Sequence, residues 1–163
     1  MEELAAVDRF YMEQALTEAR RAAAAGEIPV GAVVVAGGAA LARGHNRREE
    51  LQSPTAHAEI FALEEASQKL KTWRLEACSL YVTLEPCIMC VGAMLQARVA
   101  RLVFGCRDPK AGAVQSLYRL CEDERLNHRL PVTAGVLEAE CSAVLSDFFT
   151  ELREKKKNLE ARV

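Results

Sequence analysis

Two short segments of the chain contain the kinds of side chain that bind a metal ion. The first is TAHAE (residues 55–59) and the second is EPCIMC (residues 85–90). Together they supply one imidazole and two thiols, from His57, Cys87 and Cys90, with the types and local spacing of a zinc site. Structural zinc normally has four protein ligands, whereas catalytic zinc has three and leaves the fourth position to water. Because no convincing fourth ligand is found, the segments predict a catalytic zinc site.

A carboxylate lies beside these ligands without being needed as one of them. Zinc lowers the pKa of its bound water towards neutrality, so the water becomes a nucleophile. Hydrolytic removal of an amine also requires a group that accepts the water's proton and passes protons to the substrate ring and to the leaving group. We therefore predict that Glu59 is the general acid/base. Glu85 has two open interpretations, a hydrogen-bond partner behind the metal ligands or a helix cap.

Each part of this pattern is less specific than the whole. A lone C-x-x-C is typical of a redox pair or of half a structural zinc site. The combination of HAE upstream with PCxxC after a strand is more specific, and it favours catalysis. His45 and His128, the remaining two histidines, are expected to be exposed at the surface or to make ordinary hydrogen bonds.

Hydrophobic periodicity and turn residues predict the elements that position these side chains. Asp8 is the predicted N-cap of the first helix, and Ser53-Pro54 are the predicted start of the second, with His57 in about its first turn. Gly37-Gly38 predict a tight turn between the first two strands. The helices are predicted at residues 8–25, 53–70, 86–98 and 137–157, and the strands at residues 29–36, 39–46, 79–84, 99–105 and 131–136.

The succession of strand 79–84, helix 86–98 and strand 99–105 predicts a βαβ unit with parallel strands. The fold class predicted is α/β, a three-layer α/β/α sandwich with a mixed sheet of about five strands. Ligands bind such sheets at the carboxyl ends of parallel strands, beside helix N-termini. Both metal-binding segments are predicted to lie there. The polar segment 107–130, with a short helix around 116–121, is expected to form a rim or lid.

Length and composition limit the possible functions. The chain has 163 residues, half of them hydrophobic, which predicts a single domain over residues 1–163. The N-terminus opens acidic, and no run of about 18 apolar residues occurs, so we expect a cytoplasmic protein with no membrane partner. The net charge of −2 excludes a domain that coats nucleic acid by bulk electrostatics. The six cysteines are expected to be reduced, and the four outside the motif to be buried.

Several stretches resemble the zinc deaminases of the cytidine deaminase superfamily, and the resemblance covers nearly the whole chain. Within that superfamily the chain is most similar to the bacterial-type tRNA-specific adenosine deaminases. The similar stretches are PVGAVVV, GHN at 44–46, PTAHAEI, LYVTLEPCIMC, VFGCRDPKAGA, NHR at 127–129 and DFF at 147–149.

The resemblance implies a cytidine deaminase-like fold and one zinc ion per subunit of a homodimer. It implies hydrolytic deamination of adenosine to inosine at the wobble position of tRNA, with the base of the anticodon stem-loop flipped into a pocket. Two alternatives stay open. The first is a deaminase of a free base, nucleoside or nucleotide of the guanine or cytosine type, because the same zinc site would serve it. The second is a zinc-stabilised module without activity.

Seven positions match substrate contacts of that family: Asn46, Ala58, Pro86, Asp108, Lys110, Phe149 and Arg153. The first resembles a contact to the flipped nucleoside, the next two resemble pocket contacts, and the fourth a contact to the adjacent sugar and backbone. The last three resemble contacts to neighbouring nucleotides by charge or stacking. Packing of the last helix on the core is the alternative role of Phe149, and Lys110 and Arg153 are alternatively solvated surface charges. The chain departs from the family at Val114-Gln115-Ser116, where a second glycine is expected, so the shape of the loop after Asp108 stays open.

Overall fold

The structure, a computed structural model, describes residues 1–162, so Val163, the last residue of the predicted domain, lies outside the described part. None of the helices in this part has the length and apolar character needed to cross a membrane. The helices are α1 (Glu2–Ala24), α2 (Arg48–Leu51), α3 (Ala58–Leu70), α4 (Ile88–Gln96) and α5 (Glu138–Glu160), with a 3₁₀ turn at Leu120–Glu122. The strands are β1 (Gly31–Ala36), β2 (Ala39–His45), β3 (Cys78–Leu84), β4 (Arg101–Cys106) and β5 (Val132–Ala134).

The five strands form one mixed sheet in the order β2-β1-β3-β4-β5. Strands β3, β4 and β5 are parallel, whereas β1 runs antiparallel to both β2 and β3. Because of these directions, the carboxyl ends of β2, β3 and β4 lie at the same edge of the sheet as the amino end of β1. The predicted α/β fold and the parallel βαβ unit are therefore confirmed.

Alternate residues of the central strands enter two separate cores. On one face, Val34, Leu80 and Phe104 pack with α3 and α4, and on the other, Val33 and Tyr81 pack with α1 and α5. This alternation follows from the two-residue period of a strand, and buried apolar residues on both faces are typical of a sheet covered by helices on both sides. The predicted three-layer arrangement is confirmed.

The first helix begins earlier than the sequence predicts, so the prediction of Asp8 as an N-cap is wrong. Helix α1 starts at Glu2, and Asp8 lies in its interior with only 3% of its surface exposed. Its carboxylate accepts hydrogen bonds from the two terminal guanidinium nitrogens of Arg101, Nη1 and Nη2, at 2.8 and 2.7 Å, and from the hydroxyl of Tyr81 at 2.9 Å. The carboxylate that the sequence predicts as a helix cap is thus hydrogen-bonded by side chains on β3 and β4 instead.

The prediction that the second helix starts at Ser53-Pro54 is also wrong. Residues 48–51, where the sequence predicts neither a helix nor a strand, form α2, and α3 begins only at Ala58, with His57 as its N-cap. Before that point the chain folds back on itself, because the N–H of Arg47 donates to the carbonyl of Ala56 at 3.1 Å. The buried carboxylate of Glu27 accepts the N–H groups of Glu49 and Glu50 at 3.1 and 2.6 Å.

The segment 107–130 is part rim and part core, so the prediction of a rim or lid is only partly correct. Ala113, Val114, Cys121 and Leu130 are buried in the core on the α3 and α4 face. The predicted short helix is reduced to the 3₁₀ turn at Leu120–Glu122. Apolar residues at irregular spacing give no periodic signal, so the burial of Ala113, Val114 and Leu130 was not predicted, whereas that of Cys121 was.

All six cysteines are free, as expected for a chain whose core does not depend on disulfides. The four outside the metal-binding segments, Cys78, Cys106, Cys121 and Cys141, are buried. Burial raises the pKa of the Cys106 thiol to about 11 and those of Cys121 and Cys141 to about 12. These thiols act as small apolar side chains.

Candidate active site

The three predicted metal ligands converge at the starts of two helices. His57 is the N-cap of α3, and Cys87 is the N-cap of α4 with Cys90 in its first turn. The Nδ1 atom of His57 lies 3.7 Å from the Sγ atom of Cys87 and 3.5 Å from the Sγ atom of Cys90. All three ligand atoms lie within 4.8 Å of one another, so one ion can contact all of them.

The donor set and its spacing fit zinc. Tetrahedral Zn²⁺ with bonds of roughly 2.0–2.3 Å places neighbouring nitrogen and sulfur ligands about 3.6 Å apart. The 3.5 and 3.7 Å distances from His57 to Cys90 and Cys87 agree with that geometry. Both helix N-termini also direct backbone N–H groups and partial positive charge at the group, which favours thiolates. Within residues 1–162 this close group has three members, leaving one tetrahedral position for a non-protein ligand.

Electrostatics within the group favour one thiolate. The hydrogen bond from Cys90, followed by that from His57, lowers the pKa of Cys87 to about 4. The same contact with Cys87, together with burial, raises the pKa of Cys90, and the Cys87 sulfur raises the pKa of His57. A second thiolate therefore needs additional positive charge, which a divalent cation supplies.

Glu59 lies next to this group without being one of its close ligands. It occupies the first turn of α3, and only 4% of its surface is exposed. Since His57 is outside the helix as its N-cap, the two side chains can face the same cavity despite their i, i+2 spacing. Burial raises the pKa of the Glu59 carboxyl, which is the change that suits a group exchanging protons near neutral pH.

A glycine in β2 permits the close approach of the helix that carries Glu59. A Cβ atom added to Gly44 would lie 2.3 Å from the carbonyl oxygen of Ala58 and 2.9 Å from the Cβ of Phe61. Any side chain at this position would push the start of α3 away from the sheet. Gly44 therefore helps to fix the distance between His57 and the strand end.

The predicted metal-binding group, His57, Cys87 and Cys90, opens into a cavity of about 650 Å³ at the sheet edge where β2, β3 and β4 end. Cavities that bind small ligands measure roughly 300–1,000 Å³. His57, Glu59 and Cys87 line this one on the metal side. Its apolar lining consists of Ile28, Val30, Ala58, Leu84, Ala111 and Leu145 together with Pro109 and Phe149. A largely apolar cavity with a small number of polar groups is typical of a site that binds a small organic ligand.

The structure brings five of the seven predicted substrate contacts to this cavity. They are Asn46, Ala58, Asp108, Lys110 and Phe149. Phe149 is 38% exposed, so packing against the core does not fully account for it. The remaining two lie outside the cavity lining: Pro86 is buried behind Cys87, and Arg153 lies one turn further along α5, where its guanidinium donates to the Thr150 hydroxyl at 3.2 Å.

Asn46 and Asp108 each bond to the backbone on opposite sides of the cavity. The side-chain amide of Asn46 donates to the carbonyl of Ile28 at 3.1 Å, and its oxygen accepts the N–H of Arg48 at 3.1 Å. One carboxylate oxygen of Asp108, Oδ1, accepts the N–H groups of Lys110 and Ala111 at 3.0 and 3.2 Å. These bonds orient the side chains and leave one amide hydrogen and the Oδ2 atom for a ligand.

Some cavity residues were not predicted from sequence. Arg48 and Arg107 line the cavity, and within residues 1–162 neither has a carboxylate within 4 Å. Arg48 follows Asn46 by two residues and Arg107 directly precedes Asp108, so their sequence positions could have identified both arginines as candidate cavity residues. Ile28 and Val30 reach the cavity because they precede β1, whose antiparallel pairing with β2 agrees with the predicted tight turn and brings its amino end to this edge of the sheet.

The two histidines outside the metal group make the ordinary polar contacts expected of them. The Nδ1 atom of His45 lies 3.4 Å from a carboxylate oxygen of Glu18. The Nε2 atom of His128 lies 2.8 Å from the carbonyl oxygen of Val99. Neither histidine lines the cavity, so neither is assigned a part in its chemistry.

Glu85 is neither a helix cap nor a partner of the metal ligands. Its carboxylate accepts hydrogen bonds from the loop between Asp108 and Ser116. Burial acts to raise the pKa of Glu85, but the Ser116 hydroxyl and backbone N–H groups outweigh burial and hold the pKa below its usual value.

A mixed α/β/α sheet that presents a histidine, two cysteines and a buried glutamate at helix starts defines the class of zinc-dependent nucleobase deaminases. The family profile of the MafB19-like deaminases matches residues 7–153, and the chain belongs to this family.

Among individual proteins, the chain is similar to deaminases that act on tRNA and to a deaminase that acts on guanine. The chain is 52% identical to the tRNA-specific adenosine deaminase of Bacillus subtilis over 150 residues, which cover 92% of this chain and 93% of that protein. A solved structure from work on A-to-I editing by tRNA:A34 deaminases superposes with a TM-score of 0.81 at 45% identity, covering 83% of this chain and 99% of that one. The guanine deaminase of Nitrosomonas europaea superposes with a TM-score of 0.72 at 30% identity, covering 86% and 83%.

We predict that the purified protein binds zinc in equal molar amount and that Cys90→Ser removes most of it, because a hydroxyl is a poorer zinc ligand than a thiolate. Cys121→Ser is the matched control, since Cys121 is also buried and lies outside the group. Elemental analysis of both variants, with circular dichroism to confirm folding, measures the effect. Full zinc content in Cys90→Ser would contradict the assignment.

Proposed function

We propose that this protein catalyses the hydrolytic deamination of adenosine to inosine at the wobble position of tRNA. The observation that carries the proposal is the position of Glu59, buried in the cavity beside the His57, Cys87 and Cys90 ligand atoms. A structural metal site has no need for an unligated carboxylate there. The choice of tRNA is supported by the 52% identity to a tRNA-specific adenosine deaminase over 92% of the chain.

The residues of the chain divide the chemistry between them. His57, Cys87 and Cys90 would hold Zn²⁺, which when bound lowers the pKa of a coordinated water and so supplies a nucleophile at neutral pH. Glu59 accepts the proton that the water loses and donates it to N1 of the adenine ring. A bond forms between the water oxygen and C6. Glu59 then transfers the second proton to the amine, the C6–N bond breaks, and ammonia leaves.

The cavity holds the base for this reaction. The flipped adenine would lie against the apolar lining, with Ala58 below the ring and the remaining amide hydrogen of Asn46 as a donor to the nucleoside. Pro86 supports this wall from behind. The raised pKa of Glu59 allows the carboxyl to return a proton to the substrate after accepting one.

The neighbouring nucleotides would contact the rim of the cavity. Asp108 is proposed to accept from the sugar next to the target, through the oxygen that is free of loop hydrogen bonds. Lys110 and Arg153 would contact phosphates, and Phe149 would stack on a base. The net charge of the chain is −2, so this local set of cations has to provide the attraction to RNA.

We further propose that residues 1–163 act as one deaminase domain, as a homodimer in the cytoplasm, where tRNA is used. The outer surface of α3 and α4 has a groove of about 730 Å³ whose lining is partly apolar, with Trp73 58% exposed in it. Its apolar lining is Ile60, Leu63, Trp73, Ala93 and Ala97, and its polar lining is Glu64, Ser67, Gln68 and Gln96. Exposed apolar surface of this kind is typical of a face that pairs with another protein.

A charged residue in this groove should separate the dimer. Trp73→Glu is expected to shift the sedimentation-equilibrium mass from two chains to one, because the carboxylate would have to be desolvated in the interface. Leu4→Glu is the control, since Leu4 is 55% exposed on α1, which packs on the opposite face of the sheet. An unchanged mass for Trp73→Glu, or a monomeric parent protein, would refute the proposal.

The second candidate is deamination of a free base such as guanine. It is favoured by the similarity to the guanine deaminase of Nitrosomonas europaea, whose structure superposes with a TM-score of 0.72. The two candidates share the metal site and differ in what the rim contacts. A free base carries no phosphate, so cations at the rim would have no part in its binding.

We expect total tRNA incubated with the protein to acquire inosine at wobble adenosines, and Glu59→Ala to lower the rate by about 10³-fold or more, because no other group transfers the protons. Sequencing detects inosine as a change from adenosine. Glu59→Gln should behave like Glu59→Ala with unchanged zinc content. Glu65→Gln serves as the control, because Glu65 is a partly exposed carboxylate on the same helix and does not line the cavity.

Two outcomes of these assays would contradict the expectations. If the zinc-loaded protein leaves wobble adenosine unchanged while it deaminates guanine efficiently, the first proposal is wrong and the second is supported. If Glu59→Ala keeps the full rate, Glu59 is not the proton-transferring group.

Salt should weaken binding of tRNA strongly, because neutralising each phosphate releases counterions. The KM for tRNA is expected to rise steeply with ionic strength, and Lys110→Ala should reduce the slope of log KM against log salt by about one unit. Arg9→Ala removes an exposed cation on α1, away from the cavity, and should leave the slope unchanged. A KM that does not change with salt would favour a neutral small base as the substrate.

A further inference from the structure

The buried carboxylate of Glu85 bonds to the loop that carries Asp108 and Lys110. Residues 108–116 form this loop, the Asp108 loop. We propose that Glu85 is a positioning residue that holds the Asp108 loop in the conformation that binds RNA, so that it controls affinity for tRNA and not the chemical step. The proposal rests on the proposed tRNA deamination.

Glu85 accepts hydrogen bonds from both ends of the Asp108 loop. Its Oε1 atom accepts the N–H groups of Val114, Gln115 and Ser116 at 3.1, 2.7 and 2.9 Å. Its Oε2 atom accepts the N–H of Asp108 at 3.0 Å and the hydroxyl of Ser116. One side chain thus satisfies four backbone donors that would otherwise lack partners, and brings the two ends of the loop together.

This use of a carboxylate is unusual because the side chain is only 2% exposed and has no cationic partner. No Lys, Arg or His nitrogen lies within 4 Å of it in residues 1–162. Burying an unpaired charge is costly unless hydrogen bonds replace its hydration. Here the Asp108 loop provides all of the replacement, so the loop conformation and the buried charge of Glu85 depend on each other.

The backbone on either side of Glu85 ties the Asp108 loop to the metal site. The N–H of Glu85 donates to the carbonyl of Cys106 at 2.8 Å, and the N–H of Ala113 donates to the carbonyl of Pro86 at 2.9 Å. Cys87 and Gly112 form an isolated antiparallel bridge. Glu85 therefore lies between a metal ligand two residues away in sequence and the loop that faces the substrate.

Gly112 provides a separate observation that the carboxylate has a fixed position. A Cβ atom added there would lie 2.3 Å from the Cδ atom of Glu85 and 2.6 Å from the carbonyl oxygen of Asp108. The loop can close around Glu85 only if this residue has no side chain.

The departure from the family pattern at Val114-Gln115-Ser116 is compatible with this arrangement. Glu85 contacts the backbone N–H groups of these residues and the hydroxyl of Ser116, and a backbone N–H is present whichever non-proline side chain follows. Replacing a glycine by Gln115 thus keeps the hydrogen bonds that set the shape of the loop.

Displacement of the Asp108 loop would affect recognition and leave the chemistry in place. Asp108 and Lys110 are at the cavity rim, whereas Glu59 and His57 are held by α3, which does not contact Glu85 through any hydrogen bond in the described residues. A loosened loop should therefore raise KM for tRNA while kcat at saturating tRNA is preserved.

The test compares Glu85→Ala and Glu85→Gln with the parent protein, using an anticodon stem-loop RNA with a wobble adenosine. For Glu85→Ala we expect KM to rise about tenfold or more, kcat to change less than about threefold, and zinc content to stay the same. Glu85→Gln should be intermediate, because its amide oxygen still accepts N–H groups whereas its NH₂ group faces the N–H of Asp108 and cannot accept it.

Two further variants separate positioning from general stability. Asp8→Asn alters another buried carboxylate, on α1 across the sheet, and should lower the melting temperature without changing KM. Gly112→Ala should displace the loop with Glu85 intact, and raise KM with little change in kcat. The double variant Glu85→Ala/Gly112→Ala should show less than the product of the two single effects, because both act on one contact.

An unchanged KM in Glu85→Ala and Gly112→Ala, with only the melting temperature lowered, would show that Glu85 has a structural role alone and would overturn the inference. A loss of zinc or a fall in kcat equal to the rise in KM would overturn it too, by placing Glu85 with the metal ligands. These outcomes are read against an active parent protein. If the parent does not deaminate the RNA at all, it is the proposed function that fails.

Discussion

The distances between the His57 nitrogen and the two cysteine sulfurs, 3.5 and 3.7 Å, are the constraint on which the architecture depends. The ligands come from two helices separated by a strand, so the starts of α3 and α4 have to meet at one edge of the sheet. The parallel pair β3 and β4 places α4 there, and Gly44 lets α3 approach the strand beside it. Placing His57 and Cys87 at N-cap positions gives each an extended backbone and a side chain directed out of its helix.

Two buried glutamates organise the walls of the cavity in the same way. Glu27 accepts the backbone N–H groups at the start of α2, next to Arg48, and Glu85 accepts those of the loop that begins at Asp108. Neither carboxylate has a cation as its hydrogen-bond partner in the part of the chain that the structure describes. Each holds backbone donors in place, so loops that face a charged substrate keep a defined shape while their own cations remain available for it.

Local sequence was sufficient to select the polar residues that the structure brings together at the site, and to find much of the sheet. His57, Cys87, Cys90 and Glu59 were predicted from residue type and spacing, because metal coordination and proton transfer restrict both severely. The strands were found because apolar, β-branched runs such as PVGAVVV are characteristic. What failed depended on partners distant in sequence. The role of Asp8 is determined by Arg101, 93 residues away, and neither local propensity nor periodicity contains that information.

The burial of four cysteines also has a consequence for the reactivity of the protein. Thiolates, not thiols, react with oxidants and electrophiles, and high pKa values keep Cys106, Cys121 and Cys141 protonated at neutral pH. The pKa of Cys87, about 4, is the opposite case. Without a bound cation, the sulfur that reacts most readily with oxidants is therefore that of a predicted metal ligand, and a bound cation would protect it.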